Sequence, residues 1–213
     1  MSITPTPALP PQGGGGANLA FSVLRCDPGV LLVGGAGGPA LDKPIGRIVG
    51  HWCEGHGLSF AAVDLHGDRM EAQREALIGI ARAQRCAIII GASLGGWVAL
   101  EALAIAPIAW AAILLAPAIG WNGTIATGTP IPAPPPVLAP PGGVHIIAGA
   151  LDGVVLPRDG AAAAAAWAKA CTVTLRYIPD GDHGVSALHD AASQMALQER
   201  LQALKLGWQA GNR

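Results

Sequence analysis

Charge is scarce in this sequence. Charged residues fill only 13% of the 213 positions, the formal net charge is -1, and no basic cluster occurs. A phosphate backbone or an anionic membrane surface therefore has no electrostatic counterpart, and nucleic acid is excluded as an expected partner. Cysteines are few and scattered: Cys26, Cys53, Cys86 and Cys171 form no CxxC pair. They read as reduced, packed thiols in a reducing compartment, with disulfides the alternative that their even count leaves open. The opening MSITPTPALPPQGGGG lacks both a basic start and a continuous apolar stretch. No secretory signal is expected, and a cytoplasmic location follows. Proline and glycine instead mark residues 1–20 as a disordered leader. From Ala87 to Ala118 the only charge is Glu101. Gly91, Gly95, Gly96, Pro107 and Pro117 punctuate that run, so a buried strand, helix and strand fit it better than a membrane span.

Apolar residues, by contrast, make up 51% of the chain, enough for one large core over residues 21–213. Short apolar runs recur at Val30–Val33, Phe60–Val63, Ala87–Ile90, Ala111–Leu115, Val144–Ala148 and Thr172–Ile178, with a weaker one at Phe21–Arg25. Most are apolar throughout rather than alternating, the habit of parallel strands covered on both faces. Helical spacing lies between them. Ile45, Ile48, Val49 and Trp52 share one face, as do Leu77, Ile80 and Ala81 within 70–85. An alanine-rich segment leads into Trp167, and a last helix is expected over about 187–206. Alternating strands and helices predict a three-layer α/β/α sandwich with a mostly parallel sheet of six to seven strands. Between about 117 and 143 the chain contains GTPIPAPPPVLAPPGG, in which proline removes donors and fixes φ. This stretch is expected to be a surface loop or minimal lid.

The sequence Ala87–Ile90, Gly91-Ala92-Ser93-Leu94-Gly95, Gly96–Leu100 runs from strand through GxSxG into an apolar helix. That is the setting of a nucleophile elbow, where a cramped turn demands small neighbours on either side of the serine. The bland alternative is a serine that merely caps a helix.

These motifs resemble the α/β-hydrolase superfamily, and the resemblance extends from about Val30 to the end of the chain. In that family the chain order is serine, acid, histidine, each after a strand. The segment Gly149-Ala150-Leu151-Asp152-Gly153 is similar to the family's acid loop, which makes Asp152 the expected acid, with Asp159 in reserve. A turn aspartate bonding its own backbone is the plainer reading of Asp152. Pro179-Asp180-Gly181-Asp182-His183-Gly184 follows the last strand and resembles the family's histidine loop, so His183 is the expected base. His66 also follows a strand at the same end. The run Gly34-Gly35-Ala36-Gly37-Gly38 is similar to the family's HGxxG loop, with glycine where histidine is frequent. Its implied oxyanion donors are the amides of Ala36 and Leu94, with Gly35 the neighbouring possibility. Gly35, Trp121 and Asn122 are the pocket candidates.

The resemblance implies a serine hydrolase acting on carboxylic esters through an acyl-enzyme on Ser93, with no cofactor and a small-molecule ester or thioester as substrate. A thioesterase or depalmitoylase-like enzyme is the nearest alternative, and a non-catalytic binding module of the same fold is another. The glycine-rich run followed by Asp64 also suggests part of a dinucleotide site, but that reading leaves Ser93, Asp152 and His183 unexplained. His51, Cys53 and His56 mimic a metal cluster; positions 51 and 53 face different sides of a helix, so no metal is expected.

Overall fold

In a computed structural model describing residues 20–23, 29–35, 39–65, 70–119, 131 and 135–211, seven strands form one sheet. They are β1 (Ala20–Val23), β2 (Gly29–Val33), β3 (Ser59–Asp64), β4 (Ile88–Ala92), β5 (Ala111–Leu115), β6 (Val144–Gly149) and β7 (Val173–Ile178). Their order across the sheet is β1-β3-β2-β4-β5-β6-β7. Six are parallel, and β1 runs antiparallel along β3, with Ala20 opposite Asp64. Five helices complete the fold: α1 (Pro44–Gly55), α2 (Met70–Gln84), α3 (Leu94–Ile105), α4 (Pro157–Trp167) and α5 (Ala191–Gly211). This is the three-layer, mostly parallel architecture that the unbroken apolar runs predict.

Successive strand side chains point to opposite faces, so each central strand feeds two cores. Leu31, Val33, Ile89, Leu114 and Ile146 pack with Leu77 of α2, Leu100 and Leu103 of α3 and Trp167 of α4. Val30, Leu32, Ile88, Ile90, Ile113 and Leu115 pack on the other side with Val49 and Trp52 of α1 and Leu197, Leu201 and Leu204 of α5. Helix α3 is apolar nearly all round because it is buried nearly all round. Its one charge, Glu101, lies 3.9 Å from Arg74 of α2, and burial outweighs that guanidinium in raising the Glu101 pKa. With 12 residues α3 is about 18 Å long, short of a bilayer. Among the described residues, no helix is long and apolar enough to cross a membrane. Cys53 and Cys86 are buried and Cys171 is half-buried, while Cys26 lies outside the described residues.

Two helix starts differ from the sequence expectation. Helix α4 starts at Pro157, ahead of the alanine run, since proline suits a helix's first turn. The last helix starts at Ala191 rather than near 187. Residues His183–Ala187 form a 3₁₀ turn, Leu188 takes φ 58°, and Asp190 accepts from the Ser193 amide at 2.7 Å to cap α5. The Ser193 hydroxyl also donates to Asp190, and this lowers the Asp190 pKa.

At the end of the sheet away from Ser93, His145 of β6 is almost wholly buried. Its Nε2 donates to the Gly142 carbonyl at 2.9 Å, and its Nδ1 accepts from the Thr174 hydroxyl at 2.9 Å. Burial, with a smaller effect from Arg200, holds its pKa below 6.5 despite the Gly142 bond. The unfolded chain therefore binds the extra proton first, and the stability is present above about pH 6.5 and lost as pH falls below it. Urea unfolding between pH 5 and 8 should show that fall, and His145→Gln should reduce its slope.

Candidate active site

The turn between β4 and α3 is built by backbone packed on backbone. Ser93 takes φ 50° and ψ -116°, a conformation that costs of order 1–3 kcal/mol for a residue with a side chain. Its surroundings leave it no alternative. Its amide donates to the Leu115 carbonyl at 2.9 Å, and its carbonyl accepts from Ala118 at 2.9 Å and from Gly96 at 3.0 Å. A Cβ on Gly91 would lie 2.6 Å from Gly96 Cα, and one on Gly95 would lie 2.3 Å from the Val33 carbonyl oxygen. The two glycines of GxSxG are thus fixed by contact with α3 and with β2.

Three chain-distant side chains meet above this turn. Ser93 Oγ lies 3.1 Å from His183 Nε2, and His183 Nδ1 lies 2.9 Å from Asp152 Oδ2. With the ring proton on Nδ1 donating to Asp152, Nε2 is left to accept the serine hydroxyl. The Asp152 side chain is fully buried and that of His183 is 28% exposed. Asp152 Oδ1 also accepts from the Val154 and Val155 amides, each at 2.8 Å. Three hydrogen bonds therefore fix the carboxylate and aim it at the imidazole.

The acid and histidine loops are laced together. The Leu151 amide donates to the Gly181 carbonyl at 2.8 Å and the Ala150 amide to that of Ile178 at 2.9 Å. The Asp182 carboxylate accepts from the Gly184 amide at 2.6 Å, and Asp180 is exposed. Asp159, the reserve acid, lies in the first turn of α4 beside Arg158.

Gly35 sits against the turn, where its Cβ would lie 2.9 Å from the Ala92 carbonyl oxygen and 3.1 Å from Ser93 Cβ. Leu94 opens α3, so its amide has no acceptor within its own helix. Ala36, His66, Trp121 and Asn122 lie outside the described residues. Trp97 and Trp167 are buried in the core, and Trp110 packs against it.

The other readings fare differently. Asp64 is buried with its carboxylate on the Ala40 amide, so it does not stand free for a ribose. Cys53 is buried while His51 is exposed, and His56 stacks on Trp52 with ring centres 4.1 Å apart. Among the described residues no three His, Cys, Asp or Glu side chains gather as a metal site would require. A shallow groove of about 540 Å³, lined by Arg47, His51, Trp52, His56 and Gln198, includes none of Ser93, His183 or Asp152.

Solved structures with this fold are numerous. The chain is similar to mouse alpha/beta hydrolase domain-containing protein 10, at 18% identity over 90% of this chain and 95% of that one, TM-score 0.69. It is also similar to Est1E from Butyrivibrio proteoclasticus, at 15% identity over 91% and 97%, TM-score 0.68. A hydrolase of the alpha/beta superfamily from Xanthomonas campestris pv. campestris matches at 22% identity over 82% and 97%, TM-score 0.59. No protein-family model matches the sequence, and neither does any curated protein. At these identities the likeness is one of fold.

A methyl group at Gly95 should destabilise the chain by about 1–3 kcal/mol, since the carbonyls it meets belong to a central strand and the residue after it. Gly153→Ala, which meets nothing within 4 Å, should stay within about 0.5 kcal/mol of the parent. Denaturant melts of the two variants check the contrast.

Proposed function

Within an α/β-hydrolase fold, we propose that this chain is a serine hydrolase cleaving carboxylic esters through an acyl-enzyme on Ser93. One observation carries the reading: a continuous hydrogen-bond chain from Ser93 Oγ through His183 to a buried Asp152. A helix-capping serine has no use for such a chain, and Ser93 makes no side-chain cap to α3. A turn aspartate bonding only its own backbone would not spend its second oxygen on an imidazole 31 residues away.

His183 Nε2 takes the hydroxyl proton as Ser93 Oγ attacks the ester carbonyl. Asp152 keeps the imidazole in the required tautomer and stabilises the imidazolium that forms. The negative charge on the carbonyl oxygen falls to the Leu94 amide and to a second donor on the loop after β2, with Ala36 the proposed residue and Gly35 its neighbour. Collapse of the tetrahedral intermediate expels the alcohol, which takes the proton from His183. Water then repeats the sequence, with His183 again as base, releasing the acid and restoring Ser93. Every proton is accounted for by protein and water.

The substrate is proposed as a small or acyl-chain ester. Est1E has been seen with ferulic acid bound, so a hydroxycinnamate ester belongs in the test panel beside short aliphatic esters and acyl thioesters. A rate profile over chain length separates an esterase from a thioesterase of the depalmitoylating kind.

A fluorophosphonate probe should label the native chain, fail on Ser93→Ala and label His183→Ala only feebly. Asp152→Asn should lower kcat by about 10⁴-fold, the scale of that change in a serine protease triad. A folded native chain that takes no label would overturn the hydrolase reading in favour of a binding module.

A further inference from the structure

The chemistry above leaves one buried carboxyl group unused. Asp64 ends β3 with only 6% of its surface exposed. A carboxylate taken out of water is costly unless something repays its lost hydration. Among the described residues no lysine, arginine or histidine pairs with it. Both its oxygens instead lie 3.0 Å from the amide of Ala40, which begins a 3₁₀ turn leading into α1.

Ala40 is where the connection after β2 returns; Gly34 is where it departs. A Cβ on Gly34 would lie 2.3 Å from Asp64 Oδ1, so the carboxylate occupies the space a side chain there would need. The Gly34 amide donates to Val63, the residue before Asp64, at 2.9 Å. Asp64 therefore touches both ends of the 34–40 connection at once. The next residue along, Gly35, rests on Ala92 and Ser93.

We propose that Asp64 is a positioning residue, holding Gly34 and, through it, Gly35 in place against Ser93, at the start of the stretch that supplies the second oxyanion donor. The proposal rests on the serine-hydrolase reading. An anionic acceptor makes a stronger bond to an amide than a neutral one, which suits a loop that carries no bracing side chain at Gly34. Geometry matters here because a donor displaced from the oxyanion loses most of its effect on the transition state and little of its effect on ground-state binding.

The test is a steady-state ester assay on the native chain, Asp64→Ala, Asp64→Asn, Gly34→Ala and the double variant Gly34→Ala/Asp64→Ala. Rates are expressed per site titrated by the phosphonate. Asp64→Ala should lower kcat by about 10–100-fold with KM nearly unchanged, part of the ~10²–10³ that one oxyanion donor contributes. Asp64→Asn, which keeps an acceptor of the same shape, should fall between it and the native chain. Gly34→Ala, which pushes the carboxylate aside, should reproduce the loss, and the double variant should add little to it because both act on one contact. If Asp64→Ala fails to fold, the Asn and Gly34 variants decide. An unchanged kcat per titrated site in the folded variants, or losses in Gly34→Ala and Asp64→Ala that simply multiply, overturns the positioning role while leaving the hydrolase standing. A native chain that neither turns over nor takes the probe overturns both.

Discussion

Contact of backbone on backbone where β4 becomes α3 is the constraint on which the rest of this structure depends. Gly91, Gly95 and Gly96 let the first turn of α3 descend onto the ends of β2 and β4, with a Cβ on Gly96 meeting Pro117 after β5. That descent places Ser93 at a positive φ above the sheet and buries α3 against β2 and β4. Larger residues would lift the helix, open the core beneath it and lower the serine into an ordinary cap. Packing and site geometry are here the same set of atoms.

Around that turn the few charges are placed sparingly. The fully buried carboxylate of Asp152 is met by two amides and an imidazole, and the buried carboxylate of Asp64 by one amide. Both sit where a strand ends, at the same end of the parallel sheet as Ser93 and His183. The opposite end holds a neutral, buried histidine between two strands. Among the described residues, the two buried carboxyl groups thus lie at one end of the sheet. Each carboxylate takes at least one hydrogen bond from backbone held in place, which limits the cost of its desolvation.

Much of this was legible in the sequence because parallel strands buried on both faces announce themselves. The run Ala111–Leu115 coincides with β5 and the run before Gly91 with β4, displaced by a residue or two. The elbow was legible because sterics at Gly91 and Gly95 restrict those positions to glycine. The placement of Asp152 and His183 was legible only as order along the chain; their meeting depends on loop hydrogen bonds with no residue-type signature. The start of α5 was misplaced for a related reason. Leu188 adopts a left-handed conformation that leucine seldom takes, so helical spacing seemed to begin three or four residues early. The Asp190–Ser193 cap was present in the sequence and marks the true start. Asp64 fits the spacing of a dinucleotide site because spacing cannot say which way a carboxylate turns. The empty side chain at Gly34 was the signal that something else fills that space.

The two margins of the sheet are finished differently. On one side, antiparallel β1 covers β3. On the other, β7 is the last strand among the described residues, and its outer half is exposed at Arg176 and Tyr177. A bare parallel margin is a template on which another chain's strand can grow. Here Arg176 is tied to Glu199 of α5 at 2.5 Å, and the Tyr177 hydroxyl to the Pro157 carbonyl at 2.7 Å. Resistance to aggregation at that margin rests on charge and on tethered side chains, so it weakens as salt screens the pair. For a chain with so little charge to spare, a single surface ion pair then has a colloidal role out of proportion to its contribution to folding.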